Sequence, residues 1–170
     1  MKTKFSDFVF VFFRILGAAW LSFLVSVVPL YIWRGKHGSS NRGEDILMSV
    51  IGLVFGFLFV LLFQMRDEGA RGRSIKDTLT AAGGGIGIYT LLWVLLDLPT
   101  KNNFIIAVLG RYLACLIGKD ADGCPTFAAS ILAALIFDLV YFLAILLGAV
   151  LARKKHLRFL EKVKKDTRTT

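Results

Sequence analysis

Four long apolar runs constrain this chain more than any other feature: Ile15–Trp33, Ile46–Phe63, Leu79–Leu98 and Phe127–Ala152, each holding at most one formal charge. A helix rises 1.5 Å per residue, so a hydrocarbon core of about 30 Å takes about 20 apolar residues. In lipid the backbone has no water to bond, which leaves helices or a closed barrel as spanning structures. The runs show neither the alternation nor the roughly 10-residue segments of a barrel. The expectation is an all-α integral membrane protein. Composition agrees: 56% of the 170 residues are hydrophobic and 19% charged, below the quarter or so that a wet surface normally carries. An ordinary soluble enzyme, a disordered chain and a disulfide-stapled mini-protein are excluded.

The spans are expected at about 12–33, 46–65, 79–98 and 127–152. A fifth apolar stretch, 104–118, is 15 residues long with Arg111 in its middle, which suits a re-entrant or interfacial segment better than a crossing. The fold class read from the sequence is therefore a four-transmembrane-helix bundle with a short re-entrant or interfacial segment between the third and fourth spans. Residues 1–152 form one helical domain and 153–170 a basic tail. Lys and Arg arbitrate the crossing number. Four crossings with the N-terminus inside put 14 basic residues in the cytoplasm and 6 outside, with Arg14 uncounted. Five crossings give at best 12 against 7. Four crossings with both termini cytoplasmic, in the plasma membrane, is the better reading. Lys2 and Lys4 before an apolar run imitate a signal peptide, but the run continues to Trp33, beyond the 7–15 residues of such a segment. It is expected to stay as a helix that begins near Phe5, with Arg14 snorkelling toward headgroups.

The loops 34–45 and 66–77 read as solvated connections. The tail holds eight Lys and Arg among residues 153–170. It fixes topology and is suited to lie against anionic headgroups, at about 1 kcal/mol per basic residue near the surface. Without aromatic interleaving it gives no reason to expect nucleic acid. Small residues recur four apart: Ala18, Ser22 and Ser26; Gly52 and Gly56; Gly83 and Gly87; Ala129 and Ala133; Ala144, Gly148 and Ala152. Such stripes bring helices close in lipid, within one chain or between copies, so the expected partners are the bilayer and a second copy or another membrane subunit. The run Gly83-Gly84-Gly85 is a place where the third helix can loosen. Tyr31, Trp33 and Trp93 suit an aromatic belt, whereas Trp20 falls deeper and is expected between helices.

Asp138 lies near the middle of the fourth run, where an ionised carboxylate costs about 2.5–3.5 kcal/mol. Tyr141 shares its helix face. Matching depth brings Tyr89 and Thr90 from the third helix, and Ser22 and Ser26 from the first, as companions in a midplane polar cluster. That cluster reads either as a proton- or ion-coupling site or as a hydrogen-bonded clasp between helices. Asp97 and Arg111 are candidates for a charged pair at the outer mouth, with Lys101 as another partner for Asp97. Cys115 and Cys124 share one outward connection, either bridged or as free thiols. No metal site is expected, because two cysteines without nearby histidines give too few ligands. Asp120-Ala121-Asp122-Gly123 lacks the remaining ligands of a calcium loop. Neither GxSxG, Walker A nor HExxH occurs, and no cofactor is implied, so an enzyme is the least supported class. Two readings lead. One is a homo-oligomeric or partner-dependent transporter or channel for a small solute or ion. The other is a non-catalytic accessory, assembly or sensory subunit of a larger membrane complex.

Overall fold

The computed structural model describes residues 5–38, 42–66, 74–97 and 109–166, the side chains at 97 and 162–166 excepted. The order is α1 (Phe5–His37), α2 (Arg42–Arg66), α3 (Ile75–Leu92), a π-helical turn (Trp93–Asp97), α4 (Gly110–Ile117) and α5 (Phe127–Asp166). Among the described residues there is no strand, only an isolated antiparallel bridge between Lys119 and Pro125. Four of the helices are long and apolar enough to cross a membrane. The chain is a membrane protein of helical class.

The helices outrun the apolar runs because their ends are capped. The α1 helix passes through Pro29 and stops at Gly38, whose φ of 77° is left-handed and whose N–H donates to the Arg34 carbonyl at 3.0 Å. This is the C-terminal arrangement that glycine adopts without a Cβ penalty. Ser74 starts α3: its hydroxyl accepts from the Asp77 N–H at 3.1 Å and donates to the Asp77 carboxylate at 2.8 Å. The pair satisfies an orphan donor and sets a negative charge at the positive end of the helix. Thr126 also satisfies an orphan donor of α5, its hydroxyl accepting from the Ala129 N–H at 3.2 Å. The polar stretch 34–45 is thus a short connection between two helices, and residues 34–37 and 42–45 belong to those helices rather than to a solvated loop.

The α1 helix packs on α2 and α3, and α5 packs on the same two. The short α4 sits across α2 and α5 at the end where α1 finishes. Small residues set the separations. A Cβ at Gly52 would come 2.9 Å from the Leu109 Cβ, and one at Gly56 would come 3.0 Å from the Tyr141 ring. Gly148 fits against Gln64, 2.8 Å from a built Cβ. In α3 the expected stripe is displaced. Gly83 and Gly87 are exposed with open space around them, and the close approaches belong to Gly84 against Phe8 and Gly85 against Val11. The buried line of α3 is Ala81, Gly85 and Tyr89. Residues two positions away from it turn some 200° to the other side. The triple glycine stays helical, since a broken backbone bond in hydrocarbon costs several kcal/mol.

On α5 the faces divide cleanly. Ala133, Phe137, Tyr141, Ala144 and Gly148 are buried, while Leu132, Leu135, Leu139, Leu143 and Leu147 are exposed. Hydrocarbon is the solvent that such a leucine surface suits. Two tryptophans depart from expectation. Trp20 lies 42% exposed, with its ring edge-on to Phe23 of its own helix. Trp93 is 1% exposed and belongs to the core rather than to a belt, because it follows Tyr89 by four residues on the buried line.

Candidate functional site

The central polar group is built across α3 and α5. Thr90 Oγ1 donates to Asp138 Oδ2 at 2.6 Å and also lies 3.0 Å from the Ile86 carbonyl of its own helix. The other carboxylate oxygen, Asp138 Oδ1, is buried and has no hydrogen-bond partner among the described residues. Trp93 Nε1, one turn beyond Thr90, is likewise buried and unpartnered among them. Orphaned buried polar atoms are uncommon, and each costs about 1–3 kcal/mol.

Beside this pair stands a cluster of four rings. Tyr89 and Tyr141 meet edge-on with centroids 5.8 Å apart, and their phenols are hydrogen-bonded. Trp93 and Phe137 close the group at 6.3 Å. Tyr89 comes from α3 and Trp93 from the π-helical turn that continues it, the other two from α5, each pair at i, i+4, so the two segments present aromatic faces to one another. Gly56 leaves room for the Tyr141 hydroxyl, which would lie 3.3 Å from a Cβ at that position. A void of about 10 Å³ borders Ser22, Gly52, Tyr89 and Tyr141. That holds about one water, far less than a conduit.

The sequence-selected residues therefore separate. Asp138 and Thr90 bond directly, Tyr89 and Tyr141 form the adjoining phenol pair, and Ser22 reaches only the wall of the void. Ser22 spends its hydroxyl on the Ala18 carbonyl at 2.7 Å, and Ser26 donates to the Phe23 carbonyl at 2.6 Å. Serines in helices bond their own backbone three or four residues back, which is why Ser26 does not join the cluster. Trp93, which the sequence suits to an aromatic belt, instead joins this cluster, and its four-residue spacing from Tyr89 is the signal that links them. Arg14, expected to snorkel, donates to Gln64 at 3.1 Å.

At the α4 end lie two ion pairs that the sequence did not reveal. Arg34 grips Glu44 with two bonds, Nε to Oε2 at 3.1 Å and Nη2 to Oε1 at 2.6 Å. Lys119 Nζ donates to Asp45 Oδ2 at 2.6 Å. That bond holds the Lys119 ammonium above the ordinary lysine range against a smaller opposing effect of burial. Both carboxylates are buried, and their partners come from 10 and 74 residues away. The connection carrying Lys119 is ordered by Asp120, whose carboxylate accepts from the N–H groups of Asp122 and Cys124 at 3.1 and 2.8 Å. Gly123 completes the turn with φ 75°.

Arg111 sits in the first turn of α4 and makes a side-chain hydrogen bond to Cys115. The proposed Asp97–Arg111 pair, the Lys101 alternative and the first part of the 104–118 segment lie outside the described residues. Cys115 and Cys124 are free thiols in this structure, the first buried and the second half-buried. Burial, then the charge of Asp45, push the Cys115 thiol up. Among the described residues no three His, Cys, Asp or Glu side chains gather to hold a metal. Comparison with protein-family models, curated proteins and solved structures finds no match to this chain.

Proposed function

We propose that the chain is a homo-oligomeric or partner-dependent transporter or channel for a small solute or ion, with Asp138 as its proton- or ion-coupling carboxylate. In this reading the four long helices form a transmembrane bundle in the plasma membrane and both termini are cytoplasmic. The α4 segment then lies in or on the outer leaflet. The observation that carries the proposal is Asp138 Oδ1, a buried carboxylate oxygen in the middle of a spanning helix with no partner among the described residues. Hydrogen-bond counting gives the coupling. Thr90 has one hydroxyl proton and two acceptors within reach. With Asp138 ionised, that proton points at the carboxylate. With Asp138 protonated, the acid donates to Thr90 and the hydroxyl turns to the Ile86 carbonyl. Loading and unloading the carboxylate therefore changes a bond between α3 and α5. A one-water void does not make a path through a single chain, so the path is assigned to an interface with another subunit.

The test is proton and monovalent-cation flux in proteoliposomes, with light scattering to compare assembly. Asp138→Asn is expected to lower the flux at least about tenfold in an equally assembled protein, and Thr90→Val to lower it less. An unchanged flux in Asp138→Asn, or none from the wild type, would sink the reading. The tightness of the interior favours the second reading, an accessory, assembly or sensory subunit. It predicts no intrinsic flux and a partner released by the same Asp138→Asn change.

A further inference from the structure

A second cavity, of about 110 Å³, opens at the α4 end, between α2, α4 and the Lys119–Pro125 connection. A water occupies about 30 Å³ of liquid, so the space suits a solute of a few heavy atoms. Its wall carries three cations, Arg34, Arg111 and Lys119, and two carboxylates, Glu44 and Asp45. Both carboxylates are already bonded, Glu44 by the fork of Arg34 and Asp45 by Lys119. Among the described residues Arg111 is then the wall's one cation without a carboxylate: its side chain reaches the Cys115 thiol. Tyr112 adds a phenol to the same wall. Burial, then the charge of Glu44, raise the pKa of its hydroxyl, which keeps it a neutral donor.

We propose that this cavity is a binding site for a small oxyanion, of carboxylate or phosphate type, with the Arg111 guanidinium as its charged donor and the Tyr112 hydroxyl as its neutral one. Arg111 offers the planar fork that matches two oxygens of such a ligand. The Arg34–Glu44 and Lys119–Asp45 pairs have a different part. They neutralise the rest of the wall and hold α1, α2 and the connection in place, so the surplus positive charge is concentrated at one residue. The oxyanion comes either from the aqueous phase or from a lipid headgroup, since the chemistry recognised is the same. The site is independent of Asp138 and stands whether or not the chain transports anything.

The experiment is calorimetric titration of the purified full-length chain in neutral detergent with inorganic phosphate and, separately, acetate. It is repeated in nanodiscs of phosphatidylcholine with and without phosphatidylglycerol. Saturable binding of at least one anion is expected. Arg111→Gln should weaken it at least about tenfold, the loss of roughly 1.4 kcal/mol, and Tyr112→Phe should weaken it several-fold. Elution volume and melting temperature confirm the fold of each variant. If Arg111→Gln is misfolded, Arg111→Lys and Tyr112→Phe are read in its place. Phosphatidylglycerol that suppresses phosphate binding identifies a headgroup as the occupant, and equal binding in both nanodiscs identifies a free anion. The proposal is overturned if the wild type binds neither anion in detergent, or if properly folded Arg111 and Tyr112 variants bind as the wild type does.

Discussion

Asp45 and Asp138 carry the same side chain, and the fold partners them differently. Asp45 has a cation within 2.6 Å, whereas Asp138 has a hydroxyl on one oxygen and no partner among the described residues on the other. The Lys119–Asp45 pair makes a prediction with a definite pH signature. Lys119→Met leaves Asp45 buried without its cation. Because the lysine end is 35% exposed, solvent screening holds the expected cost to about 1 kcal/mol at pH 7. The folded-state value of Lys119 is raised above the ordinary one near 10.4. The stabilisation is therefore fully present below that ordinary value and is lost as pH rises through the raised one. Melting temperatures of wild type and Lys119→Met should differ from pH 7 to about 10 and converge above it. A gap that persists undiminished at high pH would show that the ion pair is not its source.

Between elements, separation is set by glycines whose neighbours cannot yield equally. A Cβ at Gly85 would fall inside the Val11 side chain and 3.1 Å from the Phe12 backbone nitrogen, whereas one at Gly83 meets nothing within 4 Å. Gly85→Ala is expected to destabilise the detergent-solubilised protein by about 1–3 kcal/mol through overpacking. Gly83→Ala should be neutral, or stabilising by up to about 1 kcal/mol through helix propensity. Thermal unfolding followed by circular dichroism distinguishes them, and equal effects would contradict this placement of the α1–α3 contact. The same contrast shows what the sequence made legible. Four-residue spacing identified the small-residue faces of α2 and α5, but on α3 the run of three adjacent glycines left the phase open, and the buried line lies two residues from the expected stripe. Hydropathy found the part of each helix that suits hydrocarbon and missed the polar turns that caps add, such as residues 34–37 of α1. Depth matching joined Asp138 to Thr90 because both lie near the middle of long apolar runs. It had no means of finding Lys119 beside Asp45, 74 residues apart, because an isolated charge in a connection carries no periodic signal.

For the molecule as a whole, the proposed topology of four crossings puts both ends of the chain in the cytoplasm and the α4 end on the outer side. Protease-accessible tags on the two termini of the chain in intact cells should both be protected. An impermeant maleimide should instead reach Cys124, which is half-buried in the connection after α4. One protected and one accessible tag would require an odd number of crossings and a different topology. The α5 helix adds a mechanical property to that arrangement. Its 40 residues run without a break from Phe127 to Asp166, about 60 Å of rod at 1.5 Å per residue, twice the thickness of the hydrocarbon. Asp138 lies eleven residues in from Phe127 and the basic segment begins at Arg153, with the close contact of Gly148 on Gln64 between them. Such a rod is a cantilever: its face from Ala129 to Ala152 is buried in the bundle, whereas Lys154, Lys155 and residues 157–161 are exposed. A load on the arginine- and lysine-bearing arm reaches the packed length without a joint to absorb it.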